Sequence, residues 1–465
     1  MATDRDKDKS QFMVGTCLGM CPYAEVRLRQ RERLIHPLEM AVNSNGNQLN
    51  YVQPRAMVKE FSRSAAGTEI KASDIRPVPV LVKTMKYLLT TVCLREDVSW
   101  ALVYQFVSDR LRAIQQDLCV QGIKNTTCIH LYQAAVRFYA YAHYRTCEHD
   151  LCDFDPYLNK KHLTETLTLV VALFHEQDCQ NKDTSFVDSR LFPDCCDEEI
   201  WNDSNDDTSE SKIVQDARTT EKKFHRRTRK EGGISLRMSG DSCLDQNSST
   251  GVTNSLRELS LANNSGGFAD SEISSFSVPT GRTKECENKV ISGYTFREEA
   301  EALYLLVNFG NEEVLMHAFQ LQKKIRCSRL VSVAIKMNIA WLSCNYYRVL
   351  CLSSILPPLF LCAFHPHLTM IQRKALSILS IAHNSKGLVY KQEDLAAVLC
   401  FPSVQELNDA CRHYGFTVLG GGIIFNKAAF NWNISMMKPL RVKWIEDKLA
   451  KMELSDLLLP NDLSL

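Results

Sequence analysis

The sequence predicts a mainly helical protein: successive helices forming an α-solenoid or bundle, then a small winged helix, with a long disordered insertion inside the helical part. Three observations predict it. Apolar residues recur every three or four positions over most of the chain. That pattern stops between residues 180 and 290, where Asp, Ser, Asn, Thr, Gly and Glu dominate, and then resumes. The last third reads as strand, helix, helix and a glycine-turned hairpin.

In chain order, residues 1–12 are polar and charged and read as a disordered tail without the apolar stretch of a signal peptide. The turn Gly15-Thr16-Cys17-Leu18-Gly19-Met20-Cys21-Pro22 leads into a helix, because Pro22 suits a first helical position, where an N–H would be unpaired anyway. That helix carries Arg27, Arg29, Arg31 and Arg33, with Glu25 four residues before Arg29 and so able to pair with it. At about 100° per residue the arginines fall on two faces. One pair is available to acidic protein or phosphate while the other stays solvated or pairs with acidic residues.

Next, Trp100, Tyr104, Val107, Leu111, Ile114 and Leu118 make one apolar helical stripe, with Asp109, Arg110, Arg112 and Asp117 mostly off it. Ile129, Tyr132, Ala135, Val136, Tyr139 and Ala142 give a second face, and Leu163, Leu167, Val170, Val171 and Phe174 a third. These helices define an N-terminal part over residues 13–179. The insertion, 180–290, cannot bury enough apolar surface to offset its ordering entropy. It holds the densest basic run, Lys222, Lys223, Arg226, Arg227, Arg229 and Lys230, whose composition suits a nuclear-import signal, a nonspecific RNA-binding tether or a solubilising charge run. Helical patterning resumes over 291–383, which suggests one helical domain interrupted by a loop. Over 384–432, Gly387 to Tyr390 is a strand signal, and Gln392 to Leu399 and Ser403 to Tyr414 are helices. Ser403 and Glu406 have capping-box spacing, and Gly420 to Gly422 turn a hairpin. Residues 433–465 read as a final helix or tail.

Composition removes several functional classes. At 465 residues there is room for two or three compact units. The net charge of +1 describes neither face nor partner, since balanced totals hide local patches. The 18 cysteines are scattered through apolar patterns and read as reduced, buried small hydrophobes. The longest apolar stretch, Val349 to Phe364, is interrupted by Ser353, Ser354, Pro357 and Pro358 and is too short to cross a bilayer. A soluble, intracellular chain is expected. Phosphate-cradle, zinc-protease and nucleophile-elbow motifs are absent. Cys17 and Cys21 lack the third cysteine of an iron–sulfur run, and His143, Cys147, His149 and Cys152 lack paired zinc-finger spacing. No catalytic residue, cofactor, metal or small-molecule substrate is expected, and no membrane partner. Lys391, Arg412 and Lys427 in the wing remain as modest cationic density, with Lys438, Arg441 and Lys443 just beyond it.

The order G-x-C-x-x-M-C-P, then Glu25, alternating arginines and Leu38-Glu39, resembles the opening of the GANP, or suppressor-of-actin (SAC), family. Further blocks follow in that family's order: Val58-Lys59-Glu60-Phe61-Ser62-Arg63-Ser64-Ala65-Ala66, and Ile75-Arg76-Pro77 with Val80-Leu81 and Thr84 to Leu88. Then come Phe106 to Gln121, including Asp109-Arg110, Arg112 and Asp117, and Phe154-Asp155 with Asn159, Leu163 and Leu167. Gln115 departs from the family's basic residue at that position. The resemblance implies a PCI-like helical core with a terminal winged helix, which docks a PCI-type protein and a small acidic subunit and presents a basic surface to RNA. It adds Arg76, Arg110 and Arg112 to the candidate binding residues. Two settings are implied. One is mRNA export within a TREX-two-like assembly at nuclear pores. The other, expected of the short animal SAC-domain branch that this size resembles, is centrosome duplication and spindle progression with centrosomal proteins. The phenylalanine-glycine-rich region, the pore-anchoring extension and the acetyltransferase region of large members are not expected here.

Overall fold

Side-chain caps and prolines set most of the helix starts. The computed structural model describes residues 12–42, 48–52, 56–63, 70–184, 290–385, 387–420 and 422–460. Helix α1 spans Tyr23–Arg31, with Pro22 one position earlier than expected, as an N-cap in extended conformation. It closes in a Schellman turn. Leu34 N–H donates to Arg29 O at 2.8 Å, while Arg33 takes a left-handed φ of 57°. Arg33 therefore leaves the helix, and the expected four-arginine helix holds three. A short antiparallel pair follows, β1 (Met40–Val42) and β2 (Gln48–Val52).

Helix α2 (Val78–Tyr87) continues through a π turn over Leu88–Val92. Ser99 caps α3 (Trp100–Val120), Asn125 caps α4 (Thr126–Arg145), and Asp155 Oδ1 accepts from Tyr157 and Leu158 N–H to start α5 (Pro156–Thr184). Helix α5 thus carries five residues past the expected boundary at 179. The rest of the proposed insertion, with its Lys222 to Lys230 basic run, lies outside the described residues up to 289.

A full capping box, Thr295 with Glu298, opens α6 (Phe296–Val307). Helices α7 (Glu312–Gln320), α8 (Lys323–Arg326), α9 (Arg329–Leu342), α10 (Tyr346–Ser353), α11 (Pro358–Phe364) and α12 (Leu368–Ala382) follow. The helices before and after the gap share one core. Arg137 on α4 binds Glu299 on α6 at 2.7 Å, Gln133 Nε2 donates to Phe296 O, and Arg297 Nη1 donates to Val171 O on α5. Helix α4 was expected to bury one face. Nearly every residue from Cys128 to Tyr144 is buried instead, because α2, α3, α5, α11 and the last helix of the chain all pack on it.

The C-terminal unit runs β3 (Tyr390–Lys391), α13 (Gln392–Val398), α14 (Val404–His413), β4 (Thr417–Leu419) and β5 (Gly422–Ile424). Its sheet is antiparallel in the order β3-β5-β4. The first strand is two residues long and lies later than the signal at 387–390. Ser403 Oγ accepts from Glu406 N–H at 3.2 Å, but Glu406 does not return the bond, so only half of the expected capping box forms. Gly422 packs closely under the neighbouring strand: a Cβ there would lie 1.9 Å from Val389 Cγ1 and 3.3 Å from Tyr390 O.

The segment beyond 432, expected as a final helix or tail, forms two helices. Helices α15 (Lys443–Leu449) and α16 (Leu454–Leu458) bury Ile445, Leu457 and Leu458, and α16 packs on α4. Val442 exchanges hydrogen bonds with Tyr144 Oη at 3.2 and 3.3 Å, and Arg137 Nη1 donates to Leu459 O at 2.8 Å. A few well-spaced apolar residues suffice because the face they meet is preformed.

Candidate interaction surface

The charged residues of the sequence blocks meet inside the protein. Asp117 on α3, fully buried, takes Lys59 Nζ at 2.6 Å on one oxygen and Arg76 Nε at 2.6 Å on the other. Lys59 Nζ also donates to Asp74 O, and Arg76 Nη1 donates to Met20 O. Beside this triad, Glu39 is fully buried and holds Arg29, with Val58 N–H on its other oxygen at 3.0 Å. Arg29 lies 3.6 Å from Glu25, the pairing expected from spacing, and 3.3 Å from Glu60. Arg110 joins Glu60 and Asp109 at 2.8 and 2.7 Å and lies over the Phe106 ring. Buried charges are tolerated only when paired and hydrogen-bonded, and here most of their donors and acceptors are used.

This network overturns part of the predicted binding set. Arg29, Arg76 and Arg110 are buried, so none of them can reach a partner; their charge is spent on Glu39, Asp117 and Glu60. Half-buried Arg112 stacks on Phe61 with its guanidinium carbon 3.8 Å from the ring centre. Gln115, where a basic contact was in question, donates to Thr166 Oγ1. Arg27, Arg31 and Arg33 remain exposed; Arg27 donates to Tyr23 Oη and Arg31 pairs with Glu32.

The turn at 15–21 is laced into the same network. Thr16 and Cys17 N–H donate to Ala72 and Ile75 carbonyls, Met20 O receives Lys59 N–H, and Gly15 N–H donates to Gln121 Oε1. A Cβ on Gly15 would stand 2.5 Å from Ile75 O, which is backbone and cannot rotate away. Gly15→Ala is expected to lower stability by about 1–3 kcal/mol, read as a fall in the urea midpoint. An unchanged midpoint would show that the turn is not held this tightly.

In the C-terminal unit Lys391 and Lys427 are exposed, and exposed Arg412 pairs with Asp409 at 3.0 Å. Lys438 and Arg441 are tied within the chain to Asp150 and Glu148. The sequence carries a stronger cationic signal elsewhere. Residues 314–392 contain ten Lys and Arg and no Asp or Glu, in a chain of net charge +1. This stretch includes α8 to α12 and β3, and it brings Arg373 and Lys374 beside the exposed Trp432 ring, at 5.4 and 6.0 Å. A local charge count would have found it.

Burial of the cysteines holds only in part: Cys17, Cys21, Cys93, Cys128, Cys147, Cys362, Cys400 and Cys411 are buried, whereas Cys119, Cys152, Cys179, Cys344 and Cys351 lie at the surface, in a turn, at helix ends or on helix positions facing solvent. Buried Cys17 donates to Gly19 O, and burial pushes its thiol up, as it does that of Cys21. The Cys147 thiol is pushed up to about 12 by burial. His143 is lowered to about 3 by burial and accepts from Asn159 Nδ2. No three His, Cys, Asp or Glu side chains among the described residues converge as a metal site, and no described helix is long and apolar enough to cross a membrane. One cleft between α12, α14 and residues 437–442 encloses about 40 Å³, room for a water or two.

The sequence model of the SAC3/GANP family matches residues 20–192 and 283–420. Individual relatives match over shorter spans. SAC3 family protein B of Arabidopsis thaliana is 31% identical over 182 residues, 38% of this chain and 10% of its own length. SAC3 family protein 1 of Schizosaccharomyces pombe is 31% identical over 150 residues, 32% of this chain and 14% of its own length. Protein xmas of Drosophila melanogaster is 26% identical over 171 residues, 35% of this chain and 8% of its own length. The chain therefore corresponds to a small fraction of these much longer proteins. The family match spans more than half of the chain, on both sides of the undescribed segment, and includes most of the residues that form the buried network. On that ground, the chain belongs to the SAC3/GANP family.

Proposed function

We propose that this chain is a non-enzymatic scaffold. We read its helical core as PCI-like and its strand–helix–helix–hairpin unit as a winged helix, which together hold a PCI-type protein and a small acidic subunit. One observation carries the reading. Among the described residues the family blocks close on one another through buried ion pairs, and no three His, Cys, Asp or Glu side chains gather as a metal site. What remains for function is surface. The settings are centrosome and spindle on one side and nuclear mRNA export on the other. Affinity purification of the full chain, with imaging in interphase and mitosis, separates them: pore and RNA-export proteins would mark export, centrosomal proteins the spindle. Recovery of no protein partner in either phase would overturn the scaffold.

A second reading, an RNA-binding export subunit, is favoured by the acid-free stretch 314–392. If it holds, Lys391→Glu with Lys427→Glu weakens binding of single-stranded RNA to the full chain by about tenfold, roughly 1.4 kcal/mol. Fluorescence anisotropy at fixed salt measures this. Equal affinity of wild type and variant would remove the wing from RNA binding.

A further inference from the structure

The N-terminal turn and α1 leave an unusual surface uncovered. Between residues 16–21, Ser73 and the outer face of α1 runs an open groove of about 640 Å³, flanked by Leu18, Tyr23, Val26, Arg27 and Gln30. Leu18 is 87% exposed and Tyr23 73% exposed. Large apolar side chains in mobile loops are often exposed, but Leu18 sits on a turn fixed by hydrogen bonds to Ala72, Ile75, Lys59 and Arg76. Its side chain is presented on a rigid support, so a partner would lose little loop entropy on covering it. The N–H groups of Leu18 and Gly19 donate to nothing among the described residues. The rim is cationic. Arg27 lines the groove, Arg31 and Arg33 stand exposed beyond it, and Glu32 is the one exposed acid on this stretch, 15–34.

From this charge and shape the geometry points to a docking groove for an extended acidic peptide segment of a partner protein. One aliphatic or aromatic side chain of that segment covers Leu18 and Tyr23, and its carboxylates meet Arg27 and Arg31. An open trough lined largely by apolar atoms fits an extended chain better than a phosphate backbone, which rewards dense cations and no exposed leucine. The site is built from other elements than the C-terminal unit and stands whether or not that unit binds RNA. With both, the scaffold holds two ligands at once.

Panning random displayed peptides on the full-length chain tests the groove. Wild type is expected to enrich sequences that combine several Asp or Glu with an aliphatic or aromatic residue. A synthetic peptide of the enriched sequence should bind about tenfold more weakly to Arg27→Glu with Arg31→Glu, and likewise to Leu18→Asp. All three residues are exposed, and an unchanged thermal midpoint confirms that the variants fold. Absence of enrichment, enrichment of peptides without acids, or equal binding by the variants overturns the proposal. So does sedimentation showing that this face pairs two copies of the chain, or a preference of this face for oligouridine over the peptide.

Discussion

Asp117→Ala should destabilise the protein by about 3–5 kcal/mol, because removing one member of a buried ion cluster leaves the others charged and unpaired. Both carboxylate oxygens are engaged at 2.6 Å, by Lys59 and by Arg76, and Arg76 is completely buried. Loss of the carboxylate leaves two cations facing each other at a site that water cannot reach. The effect extends beyond α3. Asp117 orients Arg76 under Met20 O, and Lys59 spans to Asp74, so the turn at 15–21 would loosen together with the 56–63 segment. Urea unfolding of the purified chain measures the loss. Asp117→Asn keeps the shape and one acceptor and should fall between wild type and alanine. A cost below about 1 kcal/mol for the alanine variant, the range of an exposed pair, would mean that the network contributes little to holding these segments. Arg31→Ala, whose pair with Glu32 is exposed, is the matched control and should be near neutral.

That network also marks how far the sequence could be read. Helix faces at Trp100 to Leu118 and Leu163 to Phe174 were legible because periodicity is local. Helix α4 was read as one-sided because His130, Gln133, Arg137 and His143 interrupt its other positions, yet all four are buried. Beyond 432 the sequence reads as a final helix or tail, and the docking of two helices there, α15 and α16, was not legible. Their apolar residues are few, and only a preformed face on α4 and α11 makes them bind. The arginines were the hardest case. Glu25, Glu39, Glu60, Asp109 and Asp117 stand in the same blocks as Arg29, Lys59, Arg76 and Arg110, so charge balance was visible. Beyond the local Glu25–Arg29 pair, pairing was not, because Lys59 and Asp117 meet across 58 positions and nothing local links them. Alternation at 27, 29, 31 and 33 puts the arginines on two faces without saying which one turns outward. Burial of Arg29 and the left-handed turn at Arg33 made them unequal, leaving Arg27 and Arg31 as the outward pair.

Acidification should destabilise the fold well before carboxylates titrate, through two buried histidines. His365 is 1% exposed, lies edge-on to Tyr144, and uses Nε2 to donate to Leu440 O at 2.8 Å. Its Nδ1 is buried without a partner, so a second proton would sit in apolar surroundings. His143 Nδ1 accepts from the Asn159 amide, so its lone pair is in use and protonation there removes the bond. Burial lowers His143 to about 3 and His365 to about 4, from an ordinary value of 6.5. Because both folded values lie below the unfolded one, their contribution is complete above about pH 6.5 and drains as pH falls towards 4. By pH 5 each should have lost on the order of 2 kcal/mol. His365 pins residues 437–442, so the first consequence is release of the strap that carries the C-terminal helices back onto α4. Urea midpoints measured from pH 7 to pH 5 should fall steeply in wild type and more shallowly in the His143→Gln, His365→Gln double variant. Parallel pH profiles for the two proteins would place the acid sensitivity elsewhere and show that these imidazoles titrate alike in the folded and unfolded chain.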